Sequence, residues 1–126
     1  MTALRANFVI EQGATFDPII RLKIKGTDDP VILTGFRALM QIRKTRGDTT
    51  VLVQLSTDSL PDDDGTIVIE GPAGLGTLEL LLEETVTAAL NFEYGTHDII
   101  LISSGGRRSR PIEGSVTFSP GTTQEA

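Results

Sequence analysis

The chain has no cysteine, no tryptophan and few aromatic side chains, and each shortage removes a class of function. Without Cys, its 126 residues supply no thiol nucleophile and no Cys-based zinc site. One Tyr and five Phe leave few of the aromatic platforms on which nucleobases stack. The single His, His97, has no second His to complete a His-based metal site or a base for a nucleophile. We interpret it as a packed side chain within a strand, and we predict no cofactor, no metal site and no enzymatic activity.

Charge and hydropathy exclude two further kinds of partner. The net charge of −6 does not suit the basic face that sequence-independent nucleic-acid binding needs. The longest apolar run, 99–102, is far shorter than the roughly 20 residues of a membrane-spanning helix. Residues 1–6 hold no apolar run typical of a signal peptide. We therefore predict a protein made in a cytoplasm, with no nucleic-acid partner and no membrane insertion.

Apolar and polar residues alternate through most of the chain, which is typical of half-buried β-strands. The clearest case is 36–43, where Ala38, Met40 and Ile42 point to one side. About eight such segments, separated by turn residues, predict an all-β sandwich or small barrel. The pattern breaks over 84–90, where we predict one short helical turn capped by Thr85.

The phase of the strands also predicts which residues are buried and where two strands lie. Pro18 cannot donate to a ladder, so the strand over 15–24 should lie at a sheet edge. Apolar residues on both faces of 92–102 predict a central strand covered on both sides. The predicted core consists of Phe8, Ile20, Leu22, Met40, Ile42, Val53, Ile67, Leu80, Ile99, Val116 and Phe118. We predict a single domain over residues 1–119 and a polar C-terminal tail over 120–126.

Two turn segments have compositions that are typical of binding loops. The segment Asp58–Asp64 holds four Asp, but a calcium-loop alignment on Gly65 puts Leu60 and Gly71 at ligand positions. A solvated turn is the better interpretation, and an irregular calcium site stays open. Segment 71–76 is rich in Gly but lacks the Gly-Lys-Ser/Thr of a phosphate loop, so we predict a hairpin turn.

The basic cluster of the chain is Arg107, Arg108 and Arg110, beside Gly105 and Gly106. It is either the solvated tip of a hairpin or a contact with an anionic partner, because Arg forms bidentate pairs with carboxylates. We take these three arginines as the candidate partner contacts of the protein.

The order of these segments resembles a small β-domain of bacteriophage tail and baseplate proteins, similar to the N-terminal docking domain of baseplate upper proteins. In the segment around His97 the family usually reads Tyr-Asp-Leu, and His97 stands in place of the Tyr. The matching segments are 13–16 with 20–22, 33–43, 65–69 with 78–80, 84–90 with 95–99, and 110–118.

The resemblance implies a small immunoglobulin-like β-sandwich of about eight strands with one helical turn. It also implies a non-enzymatic structural protein of a virion, most suitably a tail or baseplate adaptor that docks the tail hub, baseplate or fibre proteins. Such a protein is made in the host bacterial cytoplasm and present in several copies. Two alternatives stay open at this point: a carbohydrate- or ligand-binding β-sandwich module, and a structural protein of the head or collar.

Overall fold

A computed structural model of the chain describes residues 4–121. The predicted polar tail over 120–126 lies, from residue 122 onward, outside the described residues. Residues 4–121 form nine β-strands and one helix. In chain order these are β1 (Leu4–Arg5), β2 (Phe8–Glu11), β3 (Ile19–Arg21), β4 (Arg37–Arg43), β5 (Val53–Ser56), β6 (Gly65–Ile69), β7 (Thr77–Leu81), α1 (Glu84–Ala89), β8 (Tyr94–Ile102) and β9 (Arg108–Ser119).

The strands pair in the order β1-β9-β8-β4-β5-β6-β7-β3, and β2 also pairs with β9. Parallel pairs join β5 to β6 and join β1 and β2 to β9, whereas the other pairs are antiparallel. The sheet curls, so that alternate side chains of its strands meet in one hydrophobic core. The predicted all-β, sandwich-like class is confirmed.

The core forms from the side chains that the alternation of apolar and polar residues predicted to be buried. Every residue predicted for the core is buried except Phe8, which is half-buried and packs against the others. The core also contains Ile10, Phe16, Leu33, Leu55, Leu78, Leu82, Leu101 and Ile112. At 25 cal/mol for each Å² of buried apolar surface, these side chains contribute about 1.5–3 kcal/mol each before the entropy cost of ordering them.

The strand that contains Pro18 lies at a sheet edge, as predicted, because β3 ends the order of strands. It is shorter than the predicted 15–24: the regular ladder covers only Ile19–Arg21, with isolated bridges at Phe16 and Lys23. Proline has no N–H to donate, and its fixed φ interrupts a ladder. The strand prediction was therefore right in place and wrong in length.

Strand β8 is central, as predicted, since it lies between β4 and β9. The prediction that both of its faces are covered was right only in part, since on the outer face Ile102 is buried. Its inner side chains, such as Ile99, are buried, but Asp98 and Ile100 on the outer face are half-exposed. Asp98 on this face forms an ion pair with Arg110, at 3.6 Å between their charged atoms.

Helix α1 appears where the alternation breaks, but its cap differs from the predicted one. Its N-cap residue is Glu83, without a side-chain cap hydrogen bond, and Thr85 is exposed. The buried hydroxyl belongs to Thr87, which accepts from the N–H of Gly13 at 3.1 Å and donates to the carbonyl of Ala14 at 2.9 Å. The helix thereby fixes the turn after β2. Within residues 4–121, no helix is long and apolar enough to span a bilayer.

The Gly-rich segment 71–76 is a hairpin turn, as predicted, between the antiparallel strands β6 and β7. Gly76 has a φ of +72°, and a Cβ there would lie 2.7 Å from the carbonyl oxygen of Leu22. Both constraints favour Gly at this position. The carboxylate of Glu70 in the same turn accepts a hydrogen bond from the N–H of Leu33 at 2.7 Å, which ties the turn to the chain entering β4.

Candidate functional site

The predicted basic cluster lies on the hairpin that joins β8 to β9. Three hydrogen bonds close the turn. The N–H of Ser103 donates to the carbonyl of Arg107 at 2.9 Å, the N–H of Gly106 donates to the carbonyl of Ser103 at 2.9 Å, and the N–H of Arg107 donates to Oγ of Ser103 at 3.1 Å. Arg107, Arg108 and Arg110 are all exposed. The hairpin therefore presents its arginines to solvent from a hydrogen-bonded turn.

A fourth arginine, Arg37, joins this cluster through the pairing of the strands. Arg37 of β4 and Arg108 of β9 lie on either side of Ile102 in the register. Sequence reasoning missed Arg37 because it is distant from the hairpin along the chain. The pattern of β4 did place Arg37 on the outer face, but only the register of β4 against β8 could have brought it here.

The four arginines are not equally available to a partner. Arg37 forms an ion pair with Asp58 at 2.9 Å, and Arg110 forms the longer pair with Asp98. Within residues 4–121, Arg107 and Arg108 form no ion pair. Of the three predicted contacts, Arg107 and Arg108 are thus the better candidates, because Arg110 already forms an ion pair with Asp98.

His97 is a buried side chain on the inner face of β8, as the alternation predicted. Its Nε2 lies 2.6 Å from the carbonyl oxygen of Ala6, and its ring centroid lies 5.0 Å from that of Phe8. Burial lowers the pKa of His97 from its ordinary value, although the Ala6 carbonyl and the carboxylates of Asp98 and Glu113 oppose this. The neutral ring with a proton on Nε2 fits these contacts, since Nε2 can then donate to Ala6.

The contact between His97 and Ala6 depends on Gly114, which pairs with His97 across β8 and β9. A Cβ on Gly114 would lie 1.9 Å from the carbonyl oxygen of Ala6. The chain between β1 and β2 passes close over this glycine, and the Asn7 side chain accepts the N–H of Ser115 at 3.0 Å. Gly114, His97 and Asn7 together hold the N-terminal strands on β9.

The acidic segment Asp58–Asp64 folds back onto β5. The carboxylate of Asp63 accepts hydrogen bonds from Ser56 at 2.5 Å, from Gln54 at 2.9 Å and from the N–H of Leu60 at 2.8 Å. Desolvation raises the pKa of Asp63, but these three bonds outweigh it, so the pKa is lower than its ordinary value. They also explain why Gln54 and Ser56, two polar residues, are buried.

The calcium site that the sequence left open gains no support from this arrangement. Asp58 points to Arg37, and Asp64 accepts the N–H of Gln54 at 3.0 Å. Within residues 4–121, no three His, Asp or Glu side chains converge as metal ligands. The depression beside the segment, about 300 Å³, is bordered by Leu60 and Leu81 as well as by carboxylates. Asp63 and Asp64 thus accept hydrogen bonds from polar groups of β5.

The two ends of the sheet carry exposed apolar side chains. On β2, Val9 is 58% exposed, and on β3, Ile19 is 48% exposed. Ile19 and Val68 flank Glu79 in the register of β3, β7 and β6, so that one outer patch combines two apolar side chains with a carboxylate. Unpaired sheet edges with apolar residues are surfaces that pair readily with other chains.

No protein-family model matches this chain, and no curated protein matches it significantly. The resemblance to phage baseplate domains therefore stays a prediction.

Proposed function

We propose that this protein is a non-enzymatic structural protein of a bacteriophage virion, an adaptor in the tail or baseplate that docks other tail or fibre proteins. It is made in the cytoplasm of the host bacterium and is present in several copies around a symmetry axis. The order of segments that resembles the docking domain of baseplate upper proteins supports this proposal, and so does the all-β fold. Symmetric multi-copy assembly is a common way for such a module to bury its surfaces.

The structural observation that carries the proposal is the state of the two sheet edges. β3 ends the order of strands, and β2 lies at the other side of the sheet, where it pairs with β9 as β1 does. Both strands are short and expose apolar side chains, Val9 and Ile19. Proteins usually protect their edges with charges, proline or a covering loop. These edges carry Pro18 and the exposed carboxylates of Glu11 and Asp17. They also expose Val9 and Ile19, however, which suits a protein whose surfaces are covered by neighbours in an assembly.

The buried His97 supports the non-enzymatic part of the proposal. Its Nε2 is occupied by the carbonyl of Ala6, and the side chain is only 3% exposed. A general base must reach the proton that it abstracts from a substrate. A ring held in the core between β8 and the N-terminal strands is better suited to packing.

Mass spectrometry of particles purified from the source culture tests the proposal. We expect the chain to copurify with tail proteins at a fixed ratio, and antibodies against it to label one position on the particle in electron micrographs. Infectious particles that contain none of the chain would overturn the proposal. Labelling of the head or collar would retain the virion function and reject the adaptor.

A further inference from the structure

The chain reverses direction between β2 and β3 and leaves an open cleft there. The N–H of Ala14 donates to the carbonyl of Glu11 at 3.1 Å, which closes the turn. Beyond this bond the two segments diverge: β2 pairs with β9, whereas the chain at Phe16 pairs with Leu82 next to β7. The divergence leaves a cleft of about 370 Å³ between them, within the range of roughly 300–1,000 Å³ typical of binding pockets.

Both walls of the cleft are sheet edges with backbone groups directed into it. Phe16 exchanges two backbone hydrogen bonds with Leu82, and the carbonyl of Pro18 accepts from Leu80. Because alternate residues of a strand direct their backbone groups to opposite sides, Asp17 presents its N–H and C=O to the cleft. The same alternation applies to β2. The N–H of Gln12 donates to the carbonyl of Ser119 in β9, so the backbone N–H and C=O of Val9, an odd number of residues away, are directed to the cleft instead.

The cleft combines an apolar interior with an acidic rim. The rings of Phe8 and Phe16 meet edge to face at its base, with centroids 5.6 Å apart, and Val9 is exposed beside them. Glu11 and Asp17 both border the cleft and are exposed. Within residues 4–121, neither carboxylate has an ion-pair partner.

We propose that this cleft binds an extended segment of a partner protein by strand addition, and that basic and apolar side chains alternate along the segment. Its backbone pairs with the edges at Val9 and Asp17, as in other strand-addition complexes. Its apolar side chains contact Phe8 and Phe16, and its basic side chains pair with the carboxylates of the rim. This inference rests on the proposed adaptor function and names the kind of segment that is docked.

A synthetic heptapeptide that alternates the two residue types, Lys-Val-Lys-Leu-Lys-Val-Lys with blocked ends, serves as the probe for the full chain. Titration followed by amide NMR should show saturable binding at peptide concentrations below about 1 mM. The largest shifts should fall on the amides of Val9 and Asp17. The same peptide with Glu in place of Lys should not bind, because it would place like charges beside the rim.

Two double variants separate binding at the cleft from general attraction to an acidic protein. Glu11→Lys with Asp17→Lys should weaken binding by at least about tenfold. Asp62→Lys with Glu93→Lys changes the net charge by the same amount at exposed positions outside the cleft, and should weaken binding less than about twofold at physiological salt. Equal losses in the two variants would overturn the proposal.

Methylating the peptide nitrogens along one edge tests the strand geometry without altering the protein. The methylated peptide should bind more weakly, because its methylated side can no longer donate hydrogen bonds to one wall of the cleft. Undiminished binding of this peptide, or no binding by the parent peptide, would overturn the proposal. Concentration-dependent dimerisation in sedimentation, lost in Glu11→Lys with Asp17→Lys, would assign the cleft to a second copy instead. Labelling of the chain on the tail or baseplate would in each of these cases leave the adaptor function standing.

Discussion

The centre of the sheet and its N-terminal edge are built in different ways. Strand β8 pairs along nearly its whole length with antiparallel neighbours on both sides, and its inner residues are buried. Strands β1 and β2 are short, pair with β9 alone, and are separated by the irregular passage at Ala6 and Asn7. Buried, fully paired strands open only with the whole fold, whereas exposed, singly paired strands open locally. The centre therefore serves as a scaffold and the edge as an adaptable surface.

The largest expected effect is a truncation at the centre of the sheet. Ile99→Ala should lower the free energy of unfolding by about 2–5 kcal/mol, because it removes buried methyl groups and leaves a cavity. Ile19→Ala at the opposite edge is the matched control and should cost less than about 0.5 kcal/mol. Urea denaturation of the three proteins measures both. Equal losses at the two positions would abolish the distinction between scaffold and edge.

A smaller loss is expected where the edge is attached to the scaffold. Gly114→Ala should cost roughly 1–3 kcal/mol, because its Cβ must displace the carbonyl of Ala6. Hydrogen exchange should show lost protection in Phe8–Glu11 and retained protection in β4 and β8. Gly105→Ala, where a Cβ has ample space at the hairpin tip, is the control and should change neither measurement. A uniform loss of protection through the sheet would mean that edge and centre open together.

The attachment should also weaken with acid, through His97. Its pKa is lowered in the folded chain, so the unfolded chain binds the proton more readily. The free energy of unfolding should therefore fall as pH drops below about 6.5 and level off below the folded pKa. Urea denaturation of the wild type and of His97→Gln, which keeps a donor but does not titrate, isolates this change.

Identical pH profiles for the two proteins between pH 8 and 5 would contradict the assignment to His97. The contribution of Asp63 does not interfere in that range. Its pKa lies below 3.8 in the folded chain, so its stabilisation is lost only at more acidic pH.

The smallest effect on stability is expected at the arginine hairpin. Arg107→Glu with Arg108→Glu should change the free energy of unfolding by less than about 0.5 kcal/mol, because both side chains are exposed and unpaired within residues 4–121. If this hairpin contacts a neighbour, the same variant should reduce incorporation into particles, as measured by mass spectrometry. Lys25→Glu with Lys44→Glu, at exposed turns elsewhere, is the control because it changes the net charge by the same amount. Normal incorporation of the arginine variant would reject the hairpin as a contact.

The sequence predicted best the parts of the fold whose signal is local. Alternation predicted the inner faces of β4 and β8, the break over 84–90 predicted the helix, and Pro18 predicted an edge strand. It could not show that β2 lies parallel to β9, because that pairing joins residues from distant parts of the chain. The local sequence of neither strand shows which residues of the other strand it will pair with.

The candidate site was predictable only in part, for the same reason. Composition identified Arg107 and Arg108, but their neighbour Arg37 comes from another strand. The burial of Gln54 follows from the way Asp63 folds back, which alternation does not describe. The edge cleft depends on two segments that diverge after a turn, and a tight turn usually predicts the opposite, a closed hairpin.

The parallel pairing of β1 with β9 has a consequence for synthesis. Leu4 is made before its partner Ile112, so β1 and β2 have no pairing partner until nearly all of residues 4–121 have left the ribosome. At elongation rates of about 5–20 residues per second, this interval is roughly 5–20 s. Throughout it, Val9 and Phe8 are available to other nascent copies or to chaperones. Among residues 4–121, folding is thus completed last at the segment that is synthesised first.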